Sequence, residues 1–255
     1  MSRYALLVQY DGTLFNGWQL QDKGRTIQDE FEKAIAVISR ESVRITASGR
    51  TDAGVHALGQ VIHFDLKDEI PLKKICLSIN GILPKELSVR NAYKVGYDFH
   101  SRFSAIQREY IYLIYRYPLR TPFMQNKAMW INHPIEADYI REVTSYLVGQ
   151  KDFASFCKKI SKEYGTERKI ESIDVIEHDD LIKIRFRANA FLHNMIRIIV
   201  GTTIQMYREN RDPVYIKKIL DEKDRTAGGF TAPPCGLYLN KVIYNPSLNF
   251  YESAF

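Results

Sequence analysis

A nearly unbroken apolar run close to the N-terminus, residues 4–10 (Tyr-Ala-Leu-Leu-Val-Gln-Tyr), ends at Asp11-Gly12. Too short for a helix and closed by a turn pair, it reads as a strand buried inside a sheet. The segments that follow supply neighbours for it. After Thr26, Ile27, Phe31, Ala34, Ile35 and Ile38 recur at helical spacing, and Thr26 with Asp29 three residues on reads as an N-cap arrangement. Residues 42–48 and 60–66 read as strands, 71–79 as a short helix with Pro71 near its start, and 87–95 as a further strand. The order is β-α-β-β-α-β.

Past a turn-rich stretch at 96–101 the rhythm restarts. Residues 110–117 are dense in aromatic and β-branched side chains, and Ile135, Tyr139, Val143 and Leu147 mark one helix face. Residues 170–177 and 181–190 read as strands, and 194–207, apolar nearly all round, as a deeply buried helix. Asp212-Pro213 opens a helix through Leu220, and 236–244 supplies a closing strand. This predicts an α+β protein of two ferredoxin-like, RRM-like subdomains, residues 1–100 and 101–255, with mostly antiparallel sheets. Many RNA-recognition modules share that arrangement.

At 255 residues, 45% hydrophobic and 26% charged, the chain has the composition of a folded protein rather than a disordered, collagenous or disulfide-stapled one. Thirty-six Lys and Arg against thirty Asp and Glu leave a net charge of +6, which favours a polyanionic partner and equally fits a basic housekeeping protein. Cys76, Cys157 and Cys235 form no Cys-x-x-Cys pair, and the six histidines form neither His-Glu-x-x-His nor a Cys/His cluster. No metal site and no disulfide framework are expected. The apolar run after Arg3 is too short for a signal-peptide core, and no stretch approaches the ~20 residues of a membrane helix. The reading is a cytoplasmic protein without a membrane segment.

The most unusual stretch is Gly49-Arg50-Thr51-Asp52-Ala53-Gly54-Val55-His56-Ala57, which follows a strand and gathers an acid, a base and two glycines. An Asp flanked by Arg50 and backbone amides is held ionised, and a carboxylate fixed in a cleft acts as a nucleophile or stabilises positive charge. The plain alternative is a turn whose Asp bonds local amides. An Arg within the apolar run 195–200, Arg197, is costly to bury unless it is paired. Arg102, Arg108, Arg116 and Arg120 interleave with Phe103, Tyr110, Tyr112 and Tyr117, which suits phosphate contacts beside stacking surfaces or a solvated strand face over an aromatic core. The basic stretch around Lys158, Lys159, Lys162 and Arg168 reads as a loop at an RNA-touching edge.

Residues 49–57 resemble the catalytic signature of the tRNA pseudouridine synthase A family. Further blocks stand in the family's order: Tyr10-Asp11-Gly12 with Phe15 and Gly17-Trp18-Gln19, the 99–105 run Phe-His-Ser-Arg-Phe-Ser-Ala, and Arg108-Glu109-Tyr110. Residues 152–157, 191–197, Val200-Gly201 and 232–239 extend the resemblance over almost the whole chain. Leu20 stands where many members carry a basic residue, and Ser101 where Ala is usual.

The resemblance implies two sheets forming a continuous platform around a central cleft. It also implies isomerisation of uridine to pseudouridine in the tRNA anticodon stem-loop, at nucleotides 38, 39 and 40, without metal or organic cofactor. Asp52 takes the place of the essential carboxylate, Arg197 that of its paired cation, and Tyr110 that of the tyrosine that lies against uracil. Arg50 corresponds to the residue that helps displace the extruded nucleotide, and Leu237 to an apolar residue on the other side of the base. A homodimer with tRNA spanning both protomers follows from the same resemblance. The runners-up are a synthase of the family acting at another tRNA stem position, and a non-catalytic RNA-binding module or RNA-folding chaperone.

Overall fold

A computed structural model describes residues 1–158, 165–245 and 250–251. By their contacts they fall into two units, Met1–Ile106 with Tyr238–Phe255, and Gln107–Leu237.

The first unit runs β1 (Ser2–Tyr10), α1 (Ile27–Ser39), β2 (Thr46–Ala47), β3 (His56–Leu66), α2 (Leu72–Ile82) and β4 (Leu87–Val95). Among these strands the order is β4-β1-β3-β2, all antiparallel, which is the split β-α-β arrangement expected from the sequence. Residues 4–8 of β1 are buried one after another, as a central strand covered on both faces requires. α1 turns Ile27, Phe31, Ala34 and Ile35 inward, and α2 turns Ile75, Cys76 and Ile79 inward. Of the strand expected over 42–48 only Thr46 and Ala47 stand in register with β3, followed by one more bond from Ser48 N to Val61 O. The backbone N–H of Ile45 instead donates to Glu32 Oε1 on α1 at 3.1 Å, so the helix takes the hydrogen bond a neighbouring strand would have received.

The second unit runs β5 (Gln107–Arg116), β6 (Met129–Ile131), α3 (Ala137–Ser145), β7 (Gly149–Asp152), β8 (Glu167–His178), β9 (Leu181–Ala188), α4 (Met195–Arg208) and α5 (Tyr215–Glu222). Here β5, β9, β8 and β7 pair antiparallel in that order, and β6 lies parallel to β5. β9 alternates strictly, with Ile182, Ile184, Phe186 and Ala188 buried and Lys183, Arg185 and Arg187 on the opposite face. Ten of the fourteen residues of α4 are buried, so the helix that is apolar nearly all round lies deep in its unit. Lys159 and Lys162 of the basic stretch lie outside the described residues, and Arg168 belongs to β8.

A division at 1–100 and 101–255 differs from these contacts at both ends. The last strand, β10 (Leu237–Ile243), pairs parallel with β3 through Tyr238 opposite His56 and Leu239 opposite Ala57. Ile106 N donates to Ile243 O at 2.8 Å, and Tyr244 Oη donates to Ser101 O at 2.7 Å. The 101–106 segment and the chain after Leu237 therefore close the first unit.

Ser101 also explains a buried polar knot. Its hydroxyl donates to Thr46 O at 2.8 Å, its N–H donates to His63 Nδ1 at 3.2 Å, and the His63 ring sits 4.7 Å from that of His100. Burial, then the nearby His100 and Arg3, push the His63 pKa down to about 4, with Asp65 acting weakly the other way. The fold thus holds His63 neutral while the unfolded chain protonates it near 6.5. Below that value and down to about 4 the unfolded state binds the extra proton, so stability is full above 6.5 and falls as pH drops through this window. Between pH 7.5 and 5 the loss is expected to be about 2 kcal/mol. Urea midpoints at the two values check it, and in His63→Asn most of that pH dependence should vanish. An equal acid loss in the variant would remove His63 as the cause.

Candidate active site

Asp52 lies in the turn between β2 and β3, half-buried, with Arg50 exposed at its leading edge. Val55 N donates to Asp52 O at 3.1 Å and closes the turn, and Gly54 takes the φ of +77° that this needs. The turn rests on the chain that follows β1. Tyr10 Oη and Thr51 Oγ1 share a buried hydrogen bond of 2.9 Å. Gly12 is pressed against Val55 so closely that a Cβ would stand 2.0 Å from the Val55 carbonyl oxygen. Gly17, at φ +89°, lies where a Cβ would meet Thr51 O at 2.8 Å and Ala53 N at 3.1 Å.

The same segment ties the turn to α1. Trp18 N donates to Thr51 O at 3.0 Å, while the carbonyls of Gly17 and Trp18 accept from Ile27 N at 3.2 Å and Gln28 N at 3.0 Å. These last two are among the N–H groups that a helix start leaves unsatisfied. Thr26 occupies the N-cap position in extended backbone, but its side chain makes no capping bond and its buried hydroxyl oxygen has no partner. The expected side-chain cap is thus replaced by backbone carbonyls from the Gly17-Trp18 wedge. Behind the turn, His56 is buried, stacks on Tyr238 at 4.6 Å between ring centres, and accepts the Gly12 N–H on Nδ1 at 3.1 Å.

In the second unit, strand alternation sets Glu109 on one face of β5 and Arg108 and Tyr110 on the other. Glu109, 4% exposed, pairs with Arg187, its register partner on β9, at 2.7 Å. Arg108 Nη1 donates to Asn189 O at 3.0 Å. Tyr110 is half-buried and meets Phe191 edge-on, with ring centres 5.2 Å apart and planes at 82°.

Two members of the aromatic and basic series are structural instead. Tyr112 is fully buried, donates to Pro233 O at 2.8 Å, and has its phenol pushed well above the ordinary range by burial. It is core rather than a stacking surface. Arg116 donates to Ile135 O at 2.6 Å and pairs with Glu177 at 2.6 Å, which commits it to the fold.

Arg197 sits in the first turn of α4 among buried neighbours. Its Nε donates to Ala232 O and its Nη1 to Asn194 Oδ1, each at 2.7 Å, so the plane of the guanidinium is fixed. Asn194 makes this possible from a left-handed backbone at φ +61°, a conformation rare outside glycine that Asn tolerates better than most residues. Gly201 lets the 230–232 segment lie directly on the helix, for a Cβ there would stand 1.9 Å from Phe230 O. That approach brings Ala232 to Arg197, and Ala232 N donates back to Arg197 O at 3.0 Å. Gly236 is pressed on β5 in the same way, 2.7 Å from Leu113 O at its Cβ position, and the buried Leu237 follows it. Cys235, just before Gly236, is raised in pKa by burial and is a packing residue.

Arg50 and Asp52 therefore stand together on one rigid turn of the first unit. Tyr110, Arg197 and Leu237 stand in the second, on elements linked by the 230–237 segment. Among the described residues no group of three or more His, Cys, Asp or Glu side chains could hold a metal ion, and no helix is long and apolar enough to cross a membrane.

The family described as tRNA pseudouridine synthase matches residues 6–104 and 143–245. Those segments include Arg50, Asp52, Arg197 and Leu237, and Tyr110 lies between them. The tRNA pseudouridine synthase A of Leptospira biflexa serovar Patoc is 40% identical over 259 residues, covering 99% of this chain and 97% of that one. Its namesake from Bacillus subtilis is 40% identical over 245 residues, with coverage of 95% and 99%, and the one from a Thermoanaerobacter strain is 39% identical over 246, with 96% and 100%. With likeness of this extent, the chain belongs to the tRNA pseudouridine synthases, the isomerases that convert uridine to pseudouridine in tRNA.

Proposed function

We propose that the protein acts on uridines 38, 39 and 40 of the tRNA anticodon stem-loop, with Asp52 as the nucleophile or base on a flipped-out uridine. The reaction breaks the bond between ribose C1′ and uracil N1, turns the freed base, forms a bond from C1′ to uracil C5, and releases the proton of C5 while N1 takes up a proton. Asp52 serves the first step, by attack on the sugar or the ring or by removal of a sugar proton. Tyr110 lies against the uracil and relays the final proton. Arg197 supplies the positive charge that keeps the carboxylate ionised. Arg50 helps replace the extruded nucleotide, and Leu237 packs on the base. Extrusion costs a few kcal/mol, offset by phosphate contacts and stacking, so binding weakens with salt. The same reading takes the enzyme as a cytoplasmic homodimer that needs no cofactor and whose tRNA spans both protomers.

The observation that carries it is how much backbone is committed to one turn. Gly12, Gly17 and Trp18 all press on residues 51–55 and hold a half-buried carboxylate where an ordinary turn would need none of them. The test is release of tritium from uracil C5 in transcripts labelled only at position 38, 39 or 40, beside transcripts labelled in other stems. Release is expected from the anticodon arm alone. Release confined to another stem would move the activity there. Tyr110→Phe keeps the ring and loses the hydroxyl, and is expected to lower kcat by about 10²-fold with little change in KM. An unchanged kcat would exclude the hydroxyl from proton transfer.

A further inference from the structure

Gln60 lies on β3 within an otherwise apolar stretch and is completely buried. On the outer edge of β3, β10 pairs opposite His56 and Ala57, and β2 opposite Ile62 and His63. Gln60 falls in the interval between them, where the Asp52 turn leaves the sheet. Its side-chain amide does there what a strand neighbour does elsewhere. Nε2 donates to Gly49 O at 2.7 Å, while Oε1 accepts the Ser48 hydroxyl and, at 3.2 Å, the N–H of Val61. Ser48 N in turn donates to Val61 O at 2.8 Å, the last ladder bond before the turn.

A buried amide satisfied on both ends is a stiff connector, because each bond it loses leaves a desolvated polar group behind. The far side of the turn is held through Thr51, by Tyr10 and Trp18. On the near side, Gln60 grips Ser48 and Gly49, so only Arg50 stands between the two clamps.

We propose that Gln60 is a positioning residue for the isomerisation: by clamping Ser48 and Gly49 it fixes where the backbone enters the turn, and so the placement of the Arg50 and Asp52 side chains. This rests on the reading of Asp52 as the catalytic carboxylate. Gln60 touches no substrate and acts through the backbone. A misplacement of about 1 Å at a reacting group costs on the order of 10²-fold in rate, which sets the size of the effect.

The test compares Gln60→Met, close in volume and without the amide, with Ser48→Ala, which removes only the hydroxyl that orients the amide. Asp52→Asn runs beside them. Tritium release at varied tRNA concentration separates kcat from KM, and thermal melts confirm folding. The expected result is a fall in kcat of about 30-fold for Gln60→Met and several-fold for Ser48→Ala, with KM within about threefold of wild type in both. If Gln60→Met does not fold, Ser48→Ala decides by the same split. Unchanged kcat in the folded variants, or kcat reduced only in proportion to the fraction folded, overturns the proposal. Full activity in Asp52→Asn would instead overturn the reading on which it rests, whatever the two clamp variants do.

Discussion

Asp52→Asn is expected to abolish release of the C5 proton, by about 10³-fold or more, while the protein still folds and still binds tRNA. The carboxamide has the size and shape of the carboxylate. It cannot act as a nucleophile toward carbon or accept a proton from it, which removes a contribution of roughly 10²–10⁴ from acid-base chemistry together with any covalent route. The fold is expected to persist because backbone atoms of the turn and the Thr51 hydroxyl make bonds that the substitution leaves in place. Val55 N bonds the backbone oxygen of Asp52, Trp18 N bonds that of Thr51, and Tyr10 bonds the Thr51 hydroxyl. A filter-binding Kd close to wild type beside a flat tritium trace is the expected pair of results. Wild-type release from both Asp52→Asn and Asp52→Ala would remove this residue as the reacting group.

The second large effect is expected at Gly17, which never touches the base. Gly17→Ala combines two penalties. The backbone is held at φ +89°, where a side chain costs on the order of 1–3 kcal/mol. The added methyl also points at backbone rather than at a side chain that can swing aside, meeting Thr51 O at 2.8 Å, Ala53 N at 3.1 Å and Asp52 C at 3.2 Å. Relief requires either that the turn retreat, carrying Asp52 with it, or that the Gly17-Trp18 wedge withdraw from the first N–H groups of α1. Retreat of the turn by a few tenths of an ångström to 1 Å should lower kcat by about 10²-fold, and the strain should lower stability by about 2 kcal/mol. Gly81→Ala is the control, since a Cβ there meets nothing within 4 Å. Wild-type kcat in Gly17→Ala would show that the turn is not held from this side.

Much of this is legible in the sequence. α1 announces itself by the periodicity that burial of one face imposes, and β1 and α4 by the unbroken apolar character of elements buried on every side. Residues 49–57 stand out because an acid, a base and two glycines rarely share so short a span without a tight turn. Other features depart from what the local sequence predicts, for a reason that is also physical. Residues 42–45 have strand composition, yet Glu32 on α1 captures the Ile45 N–H. Thr26 has the chemistry of a cap, yet the Gly17 and Trp18 carbonyls arrive first. Tyr112 looks like its neighbour Tyr110 two residues earlier, but Gly236 and Pro233 close over it. In each case a group distant in sequence took the hydrogen bond or the space that local chemistry had assigned elsewhere.

The sequence by itself determined the α+β class, most of the order of strands and helices, and residues 49–57 as a tight turn carrying an acid and a base, since these are written in local patterns of polarity and backbone freedom; the short β6 and β7 left no such pattern. Only the tertiary structure decided that the chain after Leu237 returns to the first unit, that Gly12 and Gly17 act as seats for the Asp52 turn, and that Gln60 clamps its root. Those outcomes depend on which backbone atoms come within about 3 Å of one another after folding. Distances of that kind are set by the packing of the whole unit and not by any stretch of residues within it.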